Sequence, residues 1–348
     1  MIRALLAATL ALLFTIAPAA AADPLDLWPA DARAPIAAAI DHAPAGAFAT
    51  FDADNTIWQY DLEESLLPYL ENAGMLSVAT LDPALKPIPL LPGESLYGYY
   101  QRLCAIDDKL CFPWIAQAFS GIPLATLKRE IDTMIASAKP IPVRYLKDGK
   151  PIADTVMPPR IMPAQRQLFA YLHAHGIRVY VVSASAEELV RMVVSDPRYG
   201  LGIAPRDVIG VTELLRDPVD GSITTARGQI AAGHFLDATY PAARHARMVL
   251  TPTLWSPLTW YEGKVAAIAA YIDPVRRPVL AAGDSASDWP MLFHAGGVRI
   301  WVDRKGTATP ALAKERLRRA AIEASAGLTP PLGADRGWVV APQDVLAR

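Results

Sequence analysis

The sequence predicts an α/β protein with a parallel sheet, into which a second, mainly helical unit is inserted. Two observations indicate this fold class. From residue 160 onward, short apolar runs alternate with helical segments, and such alternation is typical of parallel sheets. Between residues 75 and 158 the alternation stops, and helical segments rich in aromatic residues replace it. We therefore divide the chain into residues 1–22, 23–74, 75–158 and 159–348.

Residues 1–22 are typical of a cleaved signal peptide. Arg3 supplies a positive start, residues 4–16 are apolar, and Ala20-Ala21-Ala22 precedes Asp23 as a small-residue cleavage site. The apolar stretch is too short to span a bilayer comfortably, so a cleaved signal is favoured over an anchor. We expect an exported protein, periplasmic or secreted, with no membrane anchor after cleavage.

The composition excludes some partners. The formal net charge is −2 over 348 residues, and no run of five basic residues occurs, so a nucleic-acid partner is not expected. Hydrophobic residues make up 52% of the chain, which is enough for a sizeable core.

The first half of the chain contains one predicted strand followed by helices. The apolar run Ala47-Phe48-Ala49 predicts a buried strand. Further on, the pattern predicts three helices, and the prolines between residues 140 and 159 indicate a boundary or a linker. The helices are Leu62 to Ala73, Glu94 to Ala118 and Pro123 to Ala138.

The second half alternates between strands and helices. The predicted helices are Ala164 to His175, Glu187 to Val194, Gly263 to Tyr271 and Trp289 to His294. The predicted strands are Arg178 to Val182, Pro278 to Ala282, Val298 to Val302, and a hairpin between Val208 and Thr225 that turns at Asp220-Gly221.

The two cysteines, Cys104 and Cys111, are seven residues apart. In an oxidising compartment such a pair favours a disulfide. A metal site is less favoured because no histidine or third cysteine lies close by.

Two aspartates follow the first predicted strand. Asp52 and Asp54 are one residue apart, so on an extended strand both side chains point to the same side. Two carboxylates this close repel one another unless a cation or a proton lies between them. They are candidates for a nucleophile and a metal ligand, with an ordinary turn as the alternative.

Three more polar sites lie at strand ends or helix starts. Ser183 follows a strand and suits an anion site or a helix cap. Lys264 begins a helix, where a cation is unfavourable unless an anion is bound, although a solvated lysine is common. Asp284 and Asp288 follow Gly283 and are four residues apart, so one helical turn brings both near the strand end.

The order Asp-x-Asp, Ser, Lys and Gly-Asp-x-x-x-Asp resembles the haloacid dehalogenase superfamily of phosphatases. The resemblance covers roughly residues 46–68 and 160–305 and implies a Rossmann-like core. It implies Asp52 as the nucleophile and Asp54 as the general acid and base. It also implies that Ser183 and Lys264 hold the phosphoryl group of a small phosphomonoester.

The same resemblance implies a magnesium site. Asp52, Asp54 and Asp284 would be its ligands, with Asp288 as a supporting residue. Zn²⁺ or another divalent cation is the alternative, since oxygen sites accept several such ions. The inserted segment 75–158 would be the cap that excludes water and contacts the leaving group.

Four segments in and around this cap carry a second resemblance, namely Asp61 to Pro68, Ser95 to Tyr100, Cys104 to Trp114 and Pro257 to Trp260. They resemble the bacterial phosphorylcholine phosphatases. That resemblance implies phosphocholine as substrate, with Glu63 and Glu64 near its trimethylammonium group. Tyr99, Tyr100 and Trp114 are candidate pocket residues, since aromatic faces bind quaternary ammonium groups. Alternatively these aromatics belong to the core, and the two glutamates form a solvated helix face. Adjacent helical positions point in different directions, so we expect at most one glutamate to touch the ligand.

Two other functions remain open at this point. A phosphatase for phosphoserine or phosphoethanolamine is one, and the cap residues Arg102, Lys109 and Arg144 would suit a carboxyl-bearing substrate. A periplasmic choline-binding protein without turnover is the other.

Overall fold

The computed structural model of the protein describes residues 23–147, 149–235, 243–304, 309–327 and 333–348. The predicted signal peptide, residues 1–22, lies outside the described residues. Within the described ranges, no helix is both long enough and apolar enough to cross a membrane.

The centre of the molecule is a mostly parallel eight-stranded sheet. The strands of the chain are β1 (Phe48–Phe51), β2 (Trp58–Gln59), β3 (Ile141–Lys147), β4 (Lys150–Val156), β5 (Arg160–Ile161), β6 (Arg178–Ala186), β7 (Val208–Arg216), β8 (Ile223–Thr224), β9 (Val249–Trp255), β10 (Leu280–Gly283), β11 (Val298–Asp303) and β12 (Trp338–Pro342). The sheet order is β12-β11-β10-β1-β6-β7-β8, and β9 also pairs with β7. All pairs from β12 to β7 are parallel, which confirms the predicted fold class.

Helices pack on both faces of this sheet and also form part of the inserted segment 75–158. They are α1 (Ala30–Asp41), α2 (Leu62–Asn72), α3 (Leu96–Ile106), α4 (Asp108–Gln117), α5 (Leu124–Ser137), α6 (Pro163–Ala174), α7 (Glu187–Val194), α8 (Ala226–Ala231), α9 (Ala243–Arg247), α10 (Glu262–Tyr271), α11 (Trp289–His294), α12 (Thr309–Ser325) and α13 (Gln343–Leu346). Along β1, Phe51 packs into one apolar cluster and Phe48 into another on the opposite face. Burial on both faces explains why the central strands are continuous apolar runs.

The segment 75–158 contains α3, α4 and α5, followed by the two-stranded sheet β3–β4. The prediction of one helix from Glu94 to Ala118 was wrong, because the chain is extended at Asp107, whose carboxylate caps α4 by accepting from the Lys109 amide. The predicted disulfide is confirmed, with the sulfurs of Cys104 and Cys111 2.08 Å apart. The disulfide joins α3 to α4 across the extended residue Asp107.

A linker, one of the two interpretations of the prolines between residues 140 and 159, is wrong, whereas a boundary there stays a prediction. Residues 141–147 and 150–156 are the two strands of an antiparallel hairpin in which Pro142 faces Thr155 and Pro151 faces Leu146. Each strand of a two-stranded sheet has one unpaired edge, where proline can lie without removing a ladder hydrogen bond. The prolines therefore predicted an interruption of regular structure in a segment that forms two strands. The predicted hairpin after Val208 is confirmed, since β7 pairs antiparallel with β8.

A buried ion network holds α7 against the sheet. The Glu187 carboxylate accepts from Arg191 Nη2 at 2.6 Å and from Arg227 Nη2 at 2.5 Å. Glu188 contacts both Arg191 and His245 Nε2, the latter at 2.7 Å. Burial opposes the charge of Glu187, but the two arginines hold its pKa below the usual value. Burial, with Arg191, lowers the pKa of His245 to about 4, so this imidazole is neutral at pH 7.

Replacing Arg191 with methionine should destabilise the fold by about 3–5 kcal/mol, because it leaves buried carboxylates without their main partner. Arg191 is only 2% exposed. The free energy of unfolding, measured by urea titration, checks this value. The control is Arg348→Met, which removes a pair whose side chains are 76% and 69% exposed and should cost under about 1 kcal/mol. Equal losses in the two variants would contradict the assigned role of the network.

Candidate active site

Three neighbouring strands bring predicted site residues to one edge of the sheet. β1 lies between β10 and β6, and Asp52 and Asp284 directly follow β1 and β10. Ser183 lies within β6, which runs on to Ala186 instead of ending at residue 182 as the sequence predicted. Because these strands are parallel, their carboxyl ends meet, as is usual for ligand sites in open α/β sheets.

A cavity of about 200 Å³ lies at this edge. Its lining is strongly acidic, with six carboxyl groups from Asp52, Asp54, Asp61, Glu63, Glu64 and Asp284. Arg304 is the single cationic side chain among the described residues that line it. A ligand that carries a positive charge is therefore favoured in part of this cavity.

Lys264 lies beneath the cavity and is fully buried. Its Nζ is 2.6 Å from Asp52 Oδ1 and 2.6 Å from Asp288 Oδ1. Burial opposes its charge, but the two carboxylates raise the pKa of Lys264 above the usual value, so it is a permanent cation. The sequence predicted an anion beside Lys264 at the start of α10. These anions are the carboxylates of Asp52 and Asp288, and Lys264 is not among the described residues that line the cavity.

Close backbone approaches hold this lysine in place. A Cβ on Gly263 would lie 1.7 Å from the carbonyl oxygen of Leu258, so only glycine fits immediately before Lys264. A Cβ on Gly283 would lie 2.5 Å from the Cβ of Asp288. Both glycines are required because other parts of the chain pack against their Cα atoms.

Asp52, Asp284 and Asp288 form the group of carboxylates that suits a metal ion. One oxygen from each lies within 4.8 Å of the others, and all three residues are buried. Thr56 Oγ1 lies 3.0 Å from Asp52 Oδ2 and 3.2 Å from Asp284 Oδ1. Burial, then Asp288, raises the pKa of Asp52 to about 7, against the opposing effect of Lys264. A divalent cation would relieve this repulsion, and an all-oxygen donor set fits one.

Within this group, the oxygens of Asp288 are already engaged. Oδ1 binds Lys264, and Oδ2 accepts from the backbone amides of Asp284 and Ser285 at 3.0 Å each. Asp288 therefore orients its neighbours, which agrees with the supporting role implied by the resemblance. Asp52 and Asp284 remain as the carboxylates best placed to contact a metal ion.

The Asp54 carboxylate lies apart from that group and has three donors of its own. Oδ1 accepts from Trp58 Nε1 at 2.8 Å and from the Leu62 amide at 2.7 Å. Oδ2 accepts from Ser185 Oγ at 2.6 Å. Burial, then the charge of Asp61, raises the pKa of Asp54 to about 7, while these donors oppose the rise. The structure does not bring this side chain among the metal-facing carboxylates, but its pKa suits proton transfer near neutral pH.

The first turn of α2 supplies the other end of the cavity. Asp61 caps the helix by accepting from the Glu64 amide at 2.9 Å. Glu63 Oε1 accepts from the Ala186 amide, and Glu64 Oε1 accepts from the Tyr100 hydroxyl, both at 2.9 Å. Both glutamates line the cavity, and the expectation that at most one of them touches the ligand stays a prediction. The two glutamate side chains point toward different partners, and both border the cavity.

This end of the cavity is strongly desolvated. Burial raises the pKa of Glu63 well above its usual value and also raises the pKa of Glu64. The hydrogen bond from Tyr100 opposes the rise in the pKa of Glu64. Carboxylates crowded in this way are stabilised by a cation brought among them.

Of the three candidate pocket aromatics, Tyr100 lines the cavity and Tyr99 and Trp114 do not, whereas Phe112 of the same cap segment does. The Tyr99 hydroxyl donates to the Ile88 carbonyl at 2.8 Å, and Trp114 Nε1 donates to the Leu85 carbonyl at 2.7 Å. Trp114 stacks on Tyr100 with ring centres 6.3 Å apart, so it supports the pocket from behind. The core interpretation is thus the better one for Tyr99 and Trp114.

Sequence reasoning missed several residues at this site. Thr56 and Ser185 had a signal, since Thr56 lies four residues after Asp52 and Ser185 lies two residues after Ser183 on the same strand. Asp61 also had a signal, since it directly precedes the predicted helix that begins at Leu62. Arg304 had no signal, because nothing around residue 304 distinguishes it from a surface arginine.

One protein of known activity resembles the whole chain. The sequence is 47% identical over 342 residues to the phosphorylcholine phosphatase of Pseudomonas aeruginosa, and the match covers 96% of each chain. No family model matches the sequence.

Solved structures resemble the chain more distantly. A conserved protein of unknown function from Anaerococcus prevotii has a TM-score of 0.53 at 18% identity, covering 81% of this chain and 88% of that one. This likeness concerns the fold alone. A HAD family hydrolase from Salmonella enterica serovar Typhi has a TM-score of 0.42 at 15% identity, covering 77% and 66%, which is too distant to support an argument.

Proposed function

Because the chain belongs to the phosphorylcholine phosphatase family, as its motifs predicted, we propose that it hydrolyses phosphocholine to choline and inorganic phosphate. The observation that carries this proposal is the single cavity between Asp52 and the pair Glu63 and Glu64. It offers a nucleophile at one end and a cation-binding group of carboxylates at the other.

In this proposal Asp52 attacks phosphorus and forms an aspartyl phosphate, and the bond from phosphorus to the choline oxygen breaks. Asp54 gives its proton to that oxygen as choline leaves. Asp54 then takes a proton from water, which attacks the aspartyl phosphate and releases phosphate. A pKa of about 7 for Asp54 suits both steps. Lys264 balances the charge of Asp52, and Ser183, which lines the cavity, would donate to a phosphoryl oxygen.

We propose Mg²⁺ as the metal, held by Asp52 and Asp284, with Asp288 orienting the backbone at Asp284. When bound, it supplies positive charge between the nucleophile and the phosphoryl oxygens. The oxygen donors suit this ion, although other hard divalent cations would fit the same ligands.

We assign the leaving group from the charges at the cavity wall. A quaternary ammonium donates no N–H hydrogen bond, so it binds through carboxylates and aromatic faces. Glu63, Glu64 and Tyr100 supply both at the cavity wall. Arg102, which would suit a carboxyl-bearing substrate, instead pairs with Glu94 at 2.8 Å and does not line the cavity.

Purified protein with Mg²⁺ should release phosphate from phosphocholine much faster than from phosphoethanolamine or phosphoserine, because only choline carries a cation without hydrogen-bond donors. A phosphate-release assay over these esters and an aryl phosphate checks this order. Equal kcat/KM values for the three would refute phosphocholine as the preferred substrate. Choline binding without any phosphate release would favour the binding protein.

Two variants test the nucleophile assignment in the same assay. Asp52→Asn should lower kcat by on the order of 1,000-fold or more, since it removes the nucleophile. Asp31→Asn, at an exposed carboxylate on α1, is the matched control and should retain full activity. Activity that survives in Asp52→Asn would refute the nucleophile assignment.

Tyr100→Phe should lower kcat/KM for phosphocholine by about 5- to 10-fold, because Glu64 loses its donor, its pKa rises and its charge is reduced. An aryl phosphate, which has no cationic group, should be unaffected. Tyr99→Phe is the control: its hydroxyl bonds only to Ile88, so stability falls and kcat/KM does not change. Equal effects of Tyr100→Phe on both esters would rule out a role in recognising the cation.

We also propose that the protein is exported and cleaved after Ala22. The Cys104–Cys111 disulfide supports an oxidising compartment. N-terminal sequencing of protein from a periplasmic or culture fraction should begin at Asp23. A chain that keeps residues 1–22 and stays in the cytoplasm would contradict this proposal.

A further inference from the structure

Arg304 is a cation in the cavity that the proposed hydrolysis does not use. It follows β11 directly, and its Nε lies 2.8 Å from Asp284 Oδ2. Asp284 is also one of the two carboxylates best placed to contact a metal ion. The guanidinium of Arg304 thus binds the Asp284 carboxylate, which the proposed metal ion also needs.

The two oxygens of Asp284 face different partners. Oδ1 lies 3.2 Å from Thr56 Oγ1, on the side of Asp52, and Oδ2 faces Arg304. The Asp284 side chain is 4% exposed, whereas that of Arg304 is 44% exposed. Arg304 therefore reaches a buried carboxylate from the solvent side. A long, half-exposed side chain can move away from Asp284 without disturbing the core.

We propose that Arg304 competes with the divalent cation for Asp284 and so weakens metal binding. This inference rests on the proposed metal site. A guanidinium and a dication on the same carboxylate repel each other, and the repulsion is twice that of two unit charges at the same distance. Arg304 also orients Asp284, which by itself would favour the metal. The gain in metal affinity from this orientation is smaller than the loss from repulsion, because the short, buried Asp284 side chain has little rotamer freedom left to lose.

The experiment is a Mn²⁺ titration of chelator-treated protein, with free Mn²⁺ followed by its electron paramagnetic resonance signal. Arg304→Gln should bind Mn²⁺ about 5- to 10-fold more tightly than wild type, the size expected for displacing one half-exposed ion pair. Arg304→Lys keeps the charge and should stay within about 2-fold of wild type.

Arg276→Gln is the matched control for loss of one positive charge. Arg276 pairs with Asp273 and bonds to the Gly46 carbonyl, at the end of β1 opposite to Asp52. Its Mn²⁺ affinity should equal that of wild type. Thermal melting in chelator checks that every variant is folded.

The outcomes separate the two proposals. Unchanged or weaker Mn²⁺ binding in Arg304→Gln overturns the competition. Absence of Mn²⁺ binding in both wild type and Arg304→Gln overturns both the metal site and the competition. Tighter Mn²⁺ binding in Arg304→Gln, together with no phosphatase activity in wild type, supports the competition and refutes only the proposed reaction.

Discussion

The contact of Lys264 with Asp52 and Asp288 organises the catalytic edge of the sheet. All three side chains are buried, and none of these charges is stable there without the others. The contact links the end of β1 to the start of α10 and to the turn after β10. Its geometry depends on two glycines, at 263 and 283, where any Cβ would collide with neighbouring atoms. Asp52, the proposed nucleophile, is thus placed by the fold itself.

The cavity combines two kinds of electrostatic environment over a short distance. At the sheet edge, carboxylates are balanced by Lys264 and Arg304. At the start of α2, Glu63 and Glu64 form no ion pair with a cation among the described residues and are held by an amide and a hydroxyl, although the charge of Arg304 lowers the pKa of Glu64. Since Glu63 bonds to the Ala186 amide, it is tied to β6, the strand that carries Ser183. The groups proposed to bind the cation and the phosphoryl group are therefore connected through β6.

Much of the core was predictable because each of its signals is local. Asp52 and Asp284 follow apolar strands, and parallel strands must bring their carboxyl ends together. The cap was predicted less well. Tyr99 and Tyr100 are adjacent in one helix and chemically alike, so no sequence pattern distinguishes the core residue from the cavity residue. The hairpin β3–β4 was missed for a different reason, since proline tolerance depends on whether a strand has a free edge.

The sequence by itself determined the fold class and the chemical types at the site, because alternation, turn residues and charge can be recognised in consecutive positions. Only the tertiary structure decided which groups meet. It directed Lys264 toward Asp52 and Asp288, gave Asp54 its three donors and brought Arg304 to Asp284. Lys264 and Asp52 are 212 positions apart, and at that separation only packing determines which partner is in reach.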